Sequence, residues 1–198
     1  MKRKVFDILV SAGGLLVALV LIVAGALAMW GASFANSSVH NQLAQQQIFF
    51  PQKGDPQLAN PKIGPYLTKY AGQQVLTGAQ AKAYADHFIA VHLSEMPYGG
   101  VYAKISELAL KNPNDAKLQA LKQTSFQGTT LRGLLLTAYA FSVFGEIAFW
   151  GGIAAFILAG VMLILVGLGF WHARRTPPQA EILTSEPRGQ PQAQPQHA

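Results

Sequence analysis

Two stretches of this chain carry almost no charge, and they limit what it can fold into. Between Ile8 and Ala35 there is no charged residue, and between Gly133 and Trp171 there is one, Glu146. Each stretch passes the threshold of about 18 apolar residues for a membrane-crossing helix. Charged residues make up 12% of the chain, against about 25% in average soluble domains, and the deficit lies in these two stretches. What remains between them is long enough for one small domain. There is no cysteine, which excludes disulfides, thiol catalysis, iron–sulfur clusters and cysteine-based zinc sites.

Lys2, Arg3 and Lys4 precede the first apolar run. A basic start is common to a cleaved secretory signal and an uncleaved anchor, and Ala26-Leu27-Ala28 or Ser33-Phe34-Ala35 could pass for a cleavage site. A signal core, however, is about 7–15 residues long. As a helix, Phe6 to Trp30 spans roughly 36 Å, enough to cross a hydrocarbon core of about 30 Å. Length therefore favours an anchor at 7–31, after a basic cytoplasmic segment at 1–6.

Gly133 to Trp171 is longer than one crossing needs. Two helices with a turn at Trp150-Gly151-Gly152 are one solution, and a single long helix is the other. Three crossings would place Arg174 and Arg175 on the side opposite Lys2, Arg3 and Lys4, against the tendency of basic flanks to stay inside. The supposed turn also has no polar side chain to satisfy its backbone. Trp150 and Trp171 lie about 31 Å apart on a helix, as two aromatic belts would. A single helix crossing at 149–171 is therefore expected, with 130–148 continuing the same helix outside. That outer part is too apolar to stand alone in water, so the rest of the domain is expected to cover it. Small residues at Gly14, Ala18 and Gly25, and at Gly151, Ala155 and Ala159, are expected to let the two crossings pack closely.

Residues 32–148 read as an extracytoplasmic helical domain. The first helix is expected to run on through 36–50. Pro51, Pro56, Pro61 and Pro65 make 51–65 an irregular loop. Thr77-Gly78-Ala79-Gln80 has capping-box spacing and opens a helix of about 78–96. Pro97 and Gly99-Gly100 end it. Helices of about 101–111 and 114–124 follow, with Asn112-Pro113-Asn114-Asp115 stopping the first and capping the second. Gly128 is expected to separate this from the last long helix, with Thr129 or Thr130 as its N-cap. From Thr176 onward, five prolines and five glutamines predict a disordered cytoplasmic tail, 172–198 with its helix end.

The chemistry is sparse. Asp86, His87 and His92 on one helix use a metal-binding vocabulary, but His87 and His92 are five apart, about 140° from one another on a helix. Metal-binding helix pairs prefer three or four. These residues are weak candidates; no metal, cofactor or catalytic residue is expected. Glu146 falls near the outer interface, either as a solvated carboxylate or as an ion site within the helix pair. Net charge is +6, without the dense basic stripe of a nucleic-acid surface.

The segments VHNQLAQQQIFFP (39–51), YAGQQVLTGAQAKAYADHFIAVHL (70–93) and TLRGLLLTAYAF (130–141) resemble a group of small, functionally uncharacterised actinobacterial two-span membrane proteins. The resemblance covers nearly the whole region between and including the two crossings. It implies a bacterial plasma-membrane setting and carries over no catalytic residue. Some similar chains bear a ring-opening dioxygenase label, but no facial triad of two histidines and a carboxylate supports it here.

The expectation is therefore an all-α integral membrane protein. Two long antiparallel helices would span the bilayer, flanked by Lys2, Arg3, Lys4, Trp30, Trp150, Trp171, Arg174 and Arg175. About three short helices would cap them outside, with both termini cytoplasmic. The expected role is a non-enzymatic accessory or scaffold for a membrane-protein or lipid partner, or a homo-oligomer. The alternatives are a lipid- or ligand-binding domain and, less favoured, a metal enzyme.

Overall fold

The computed structural model describes residues 2–177 and Ala180. Most described residues are helical, and Phe49 and Gln74 form an isolated antiparallel bridge. Helix α1 runs Arg3–Gln46, and α6 runs Ala116–Arg175. Both are long and apolar enough to cross a membrane. Between them lie α2 (Gly64–Leu67), α3 (Gly78–Tyr84), a π turn (Ala85–Ile89), α4 (Ala90–Glu95) and α5 (Tyr102–Lys111), with short 3₁₀ turns at Pro56–Ala59, Thr68–Tyr70 and Pro97–Gly100. The expected tail beyond Thr176 lies almost wholly outside the described residues. The chain divides into two units: Leu27–Gly152, and Met1–Ala26 with Ile153–Ala198.

In the larger unit, α1 stops where Gln47 takes a left-handed backbone, φ 51°. The chain then pairs with its later part. Phe50 N–H donates to the Gln73 carbonyl at 2.9 Å, and Val75 N–H to the Ile48 carbonyl at 2.8 Å. The Gln74 side chain donates to the Ala44 carbonyl at the end of α1, 2.8 Å away. These bonds fold the proline-rich segment back, so that Phe50, Ile63, Leu67 and Val75 are buried with Val39 and Leu43 of α1, Ala81 of α3 and Leu135 of α6. The rings of Phe50, Tyr70 and Tyr84 meet at centroid distances of 5.0 and 5.5 Å.

The capping box forms: the Thr77 hydroxyl accepts from Gln80 N–H, and the Gln80 side chain accepts from Thr77 N–H. The helix it starts runs through the π turn to Glu95, one residue short of the expected end. The extra residue in the turn is not visible in sequence periodicity. Tyr98, Gly99 and Gly100 then take positive φ, reversing the chain into α5.

Three expectations are corrected. Gly128 does not break the chain, and Thr129 and Thr130 cap nothing; the expected 114–124 helix is the opening of α6. The Asp115 carboxylate accepts from Lys117 and Leu118 N–H and caps it. A Cβ on Gly128 would stand 2.8 Å from a Leu93 methyl, so the glycine serves close packing within a helix. Of the three short helices expected, 78–95 and 102–111 stand between the long helices, the third is part of α6, and α2 (Gly64–Leu67) is a helical turn at the end of the expected loop. The turn weighed at Trp150-Gly151-Gly152 is unbroken helix as well.

The second correction concerns residues 130–148. Leu135 is buried, and Leu131, Leu136 and Ala138 pack on the core. Leu134, Phe141, Phe144 and Ile147 stay 52–67% exposed on another face. A helix presents residues all around its axis, and the short helices reach one side only.

In the smaller unit, a Cβ on Gly14 would meet Val166 and Met162, and one on Gly169 would meet Ser11. The His172 ring lies 3.9 Å from the Asp7 carboxylate and 3.5 Å from Arg3. Burial recurs every seventh residue along each long helix: Ser11, Ala18, Gly25, Ala32 and Val39 on α1, and Gly145, Gly152, Ala159, Val166 and Ala173 on α6. Steps of four drift by 40° each around a helix, whereas steps of seven drift by only about 20°. This is why Gly151 falls off the expected stripe. It is exposed with open space beside it, and Gly152 is buried instead. Ala155 is half-buried.

Candidate functional site

Two concave surfaces of the larger unit are lined by both α1 and α6. The first is a groove of about 830 Å³. One wall is α1, with Asn36, Ser37, His40 and Asn41. The opposite wall is α6, with Ser142, Glu146, Phe149 and Trp150. Leu76, Thr77, Gly78 and Ala79, at the start of α3, complete the lining.

The backbone explains how this groove is held. Gly78 lies against α6, where an added Cβ would collide with the Ser142 side chain and come 3.2 Å from Tyr139 Cα. Gly145 lies against α1, with Ala35 Cβ and Asn36 Oδ1 each 3.2 Å from where its Cβ would be. Two glycines of α3 and α6 thus bring three chain segments close together. The Ser142 hydroxyl donates to the Tyr139 carbonyl at 2.7 Å. Among the described residues, the side chains of Asn36, Ser37, His40, Asn41 and Glu146 make no hydrogen bond or ion pair within the protein, so their polar groups are free to face a ligand.

The second surface is a mainly apolar trough of about 320 Å³, lined by Phe34, Val39 and Leu43 of α1 and Leu134, Ala138 and Phe141 of α6, together with Ser38, Gln42, Gln46 and Thr137. Phe34, Leu134 and Phe141 are each more than half exposed there.

Asp86, His87 and His92 go three separate ways. Asp86 pairs with Lys82 at 2.5 Å and Arg132 at 2.9 Å. The hydrogen bond from Lys82, followed by that from Arg132, holds its carboxyl below the ordinary value of 3.8; partial burial opposes both. The same bond raises Lys82 above 10.5. His87 stacks on Tyr66, centroids 3.6 Å apart. His92 Nδ1 lies 2.7 Å from the Phe88 carbonyl. Among the described residues no three His, Asp or Glu side chains converge on a metal-sized site. The Asp86 cluster ties α3 and the π turn to α6, and Lys82 also lies 5.4 Å from the Tyr139 ring centroid.

Trp30, Trp150 and Trp171 are exposed, and Arg175 lies over the Trp171 ring at 4.3 Å. Lys2, Lys4 and Arg174 are exposed too. Sequence reasoning missed the groove, because its residues are unremarkable singly. The available signal was spacing: Asn36 and His40, Ser37 and Asn41, and Ser142 and Glu146 are three polar pairs four residues apart, each on one helix face. It also missed the placement of Asp7 beside His172.

Comparisons with family models, curated proteins and solved structures give no match to this chain.

Proposed function

We propose that this is a bacterial plasma-membrane protein with two antiparallel crossings at 7–31 and 149–171. Its helical cap, 32–148, lies outside, and its role is that of a non-enzymatic scaffold that assembles through the cap's bare apolar strip. Several observations support the placement. In the smaller unit, Asp7, Ser11 and Gly14 meet His172, Gly169 and Val166. In the larger, Ala35 meets Gly145. Numbers that rise along one helix and fall along the other are what an antiparallel pair gives. By the same register Trp30 stands opposite Trp150, as expected of one aromatic belt.

The strip carries the scaffold reading. On α6, Phe141 lies about 14 Å beyond Trp150 and Leu134 about 24 Å beyond it. Both are therefore past the hydrocarbon boundary that Trp150 would mark, and both remain more than half exposed, as Phe34 does. Large apolar side chains grouped and exposed in water mark an interaction surface. Whatever covers it must be apolar and stand at the same height above the bilayer. A second copy of this chain meets both conditions by construction, so the reading commits to self-association.

The test is native mass spectrometry of the full chain released from lipid nanodiscs loaded at rising protein-to-lipid ratio. Wild type is expected to give dimers or higher species, and Phe141→Glu monomers. Wild-type monomers at every ratio would contradict the reading.

A further inference from the structure

We propose that the groove between Asn36, His40 and Asn41 on α1 and Ser142, Glu146 and Trp150 on α6 binds the uncharged, hydroxyl-rich sugar headgroup of an outer-leaflet glycolipid. This inference rests on the membrane placement proposed above and not on self-association.

The size fits: about 830 Å³ falls within the range of roughly 300–1,000 Å³ for small-molecule pockets. The polar groups fit as well. Two asparagine amides and a carboxylate line the groove and supply both donors and acceptors for the hydroxyls of a sugar ring. These groups have no partner within the protein among the described residues, so a ligand replaces their bonds to water without breaking any bond inside the protein. Charge narrows the class. No lysine or arginine lines the groove, and its one formal charge is the negative Glu146. A phosphate or other anion would meet repulsion there and no cation. A hydroxyl-rich neutral ring meets a charge-assisted acceptor.

Position supplies the source. Trp150, 61% exposed, closes the lower end of the groove at the height proposed for the membrane boundary. Its aromatic face is electron-rich and attracts the C–H face of a sugar ring. Phe149 packs edge-on against it at 5.6 Å. From Trp150 the groove rises past Glu146 and Ser142, where headgroups stand and acyl chains do not reach. A headgroup tethered in the leaflet is held at the groove, whereas a free sugar must be captured from dilute solution.

The experiment uses the full chain in nanodiscs of phosphatidylcholine with equal parts of a neutral hexosyl diacylglycerol, phosphatidylglycerol and phosphatidylethanolamine, all with the same acyl chains. Native mass spectrometry reads which lipids stay bound after release. Hexosyl lipid is expected to be retained at least about fivefold over each phospholipid. Glu146→Gln with Asn41→Ala is expected to abolish that preference, leaving dimers intact. Phe141→Glu is expected to do the reverse, so failure of this proposal and failure of the self-association reading give different spectra. Equal retention of all lipids, preference for either phospholipid, or a hexosyl preference untouched by the groove substitutions would overturn the assignment. Binding of soluble methyl hexoside without retention of hexosyl lipid would keep the sugar chemistry and overturn the lipid source.

Discussion

Replacing Gly78 by alanine sets two known effects against each other. Alanine favours the helical backbone by up to about 1 kcal/mol relative to glycine. Against this, the new methyl would overlap the Ser142 side chain and stand 3.2 Å from Tyr139 Cα. Carbon atoms prefer about 3.5–4.0 Å, and neither neighbour is the loose end of a long side chain. The start of α3 or the facing turn of α6 must move. Overpacking of this kind costs about 1–3 kcal/mol. Net destabilisation of about 1–2 kcal/mol follows, a factor of roughly 5–30 in local opening. Hydrogen exchange read by mass spectrometry over 78–95 measures it, because that segment lies wholly within the larger unit. Adding Ser142→Gly removes the colliding atoms, so the two substitutions together should be at least about 0.5 kcal/mol less harmful than their sum. Exchange in Gly78→Ala as slow as in wild type, or strict additivity of the pair, would refute the reasoning.

Leu135→Ala removes a side chain only 1% exposed where α6 meets the cap core. It should destabilise the cap by about 2–5 kcal/mol, read as a loss of exchange protection over 78–95. Asp86→Asn should cost about 1–2 kcal/mol, between an exposed and a buried ion pair, since Arg132 and Lys82 lose their carboxylate. Because the folded carboxyl is held below 3.8, its contribution is complete above that value and lost as pH falls through the lower folded one. The stability gap between wild type and Asp86→Asn should therefore persist at pH 5 and close only below 3.8, as followed by acid unfolding; a gap that grows on acidification would oppose this.

Residues with a strong local signal were legible in the sequence. The apolar runs gave the two long helices, Thr77 and Gln80 gave the helix start, and the segment Asn112–Asp115 marked a helix start, though not that of the last long helix. Tertiary contacts were not legible. Gly128 reads as a break until Leu93 is seen against it. The π turn at Ala85–Ile89 leaves no mark in composition. Steps of four and steps of seven give similar patterns over two turns, and only burial along whole helices separated Gly152 from Gly151. The groove is assembled from residues about 35 to 115 positions apart, each ordinary by itself; what joins them is the glycine contact at each junction.

The absence of cysteine makes the central claim directly measurable. Single cysteines at Lys53 and Lys111 in the cap, and at Lys4 and Gln190 near the ends, can be labelled in intact bacterial cells with a membrane-impermeant maleimide. Two crossings with an external cap predict that positions 53 and 111 label in intact cells, and that positions 4 and 190 label only after lysis. Labelling of 4 or 190 in intact cells, or protection of 53 and 111 until lysis, would contradict it.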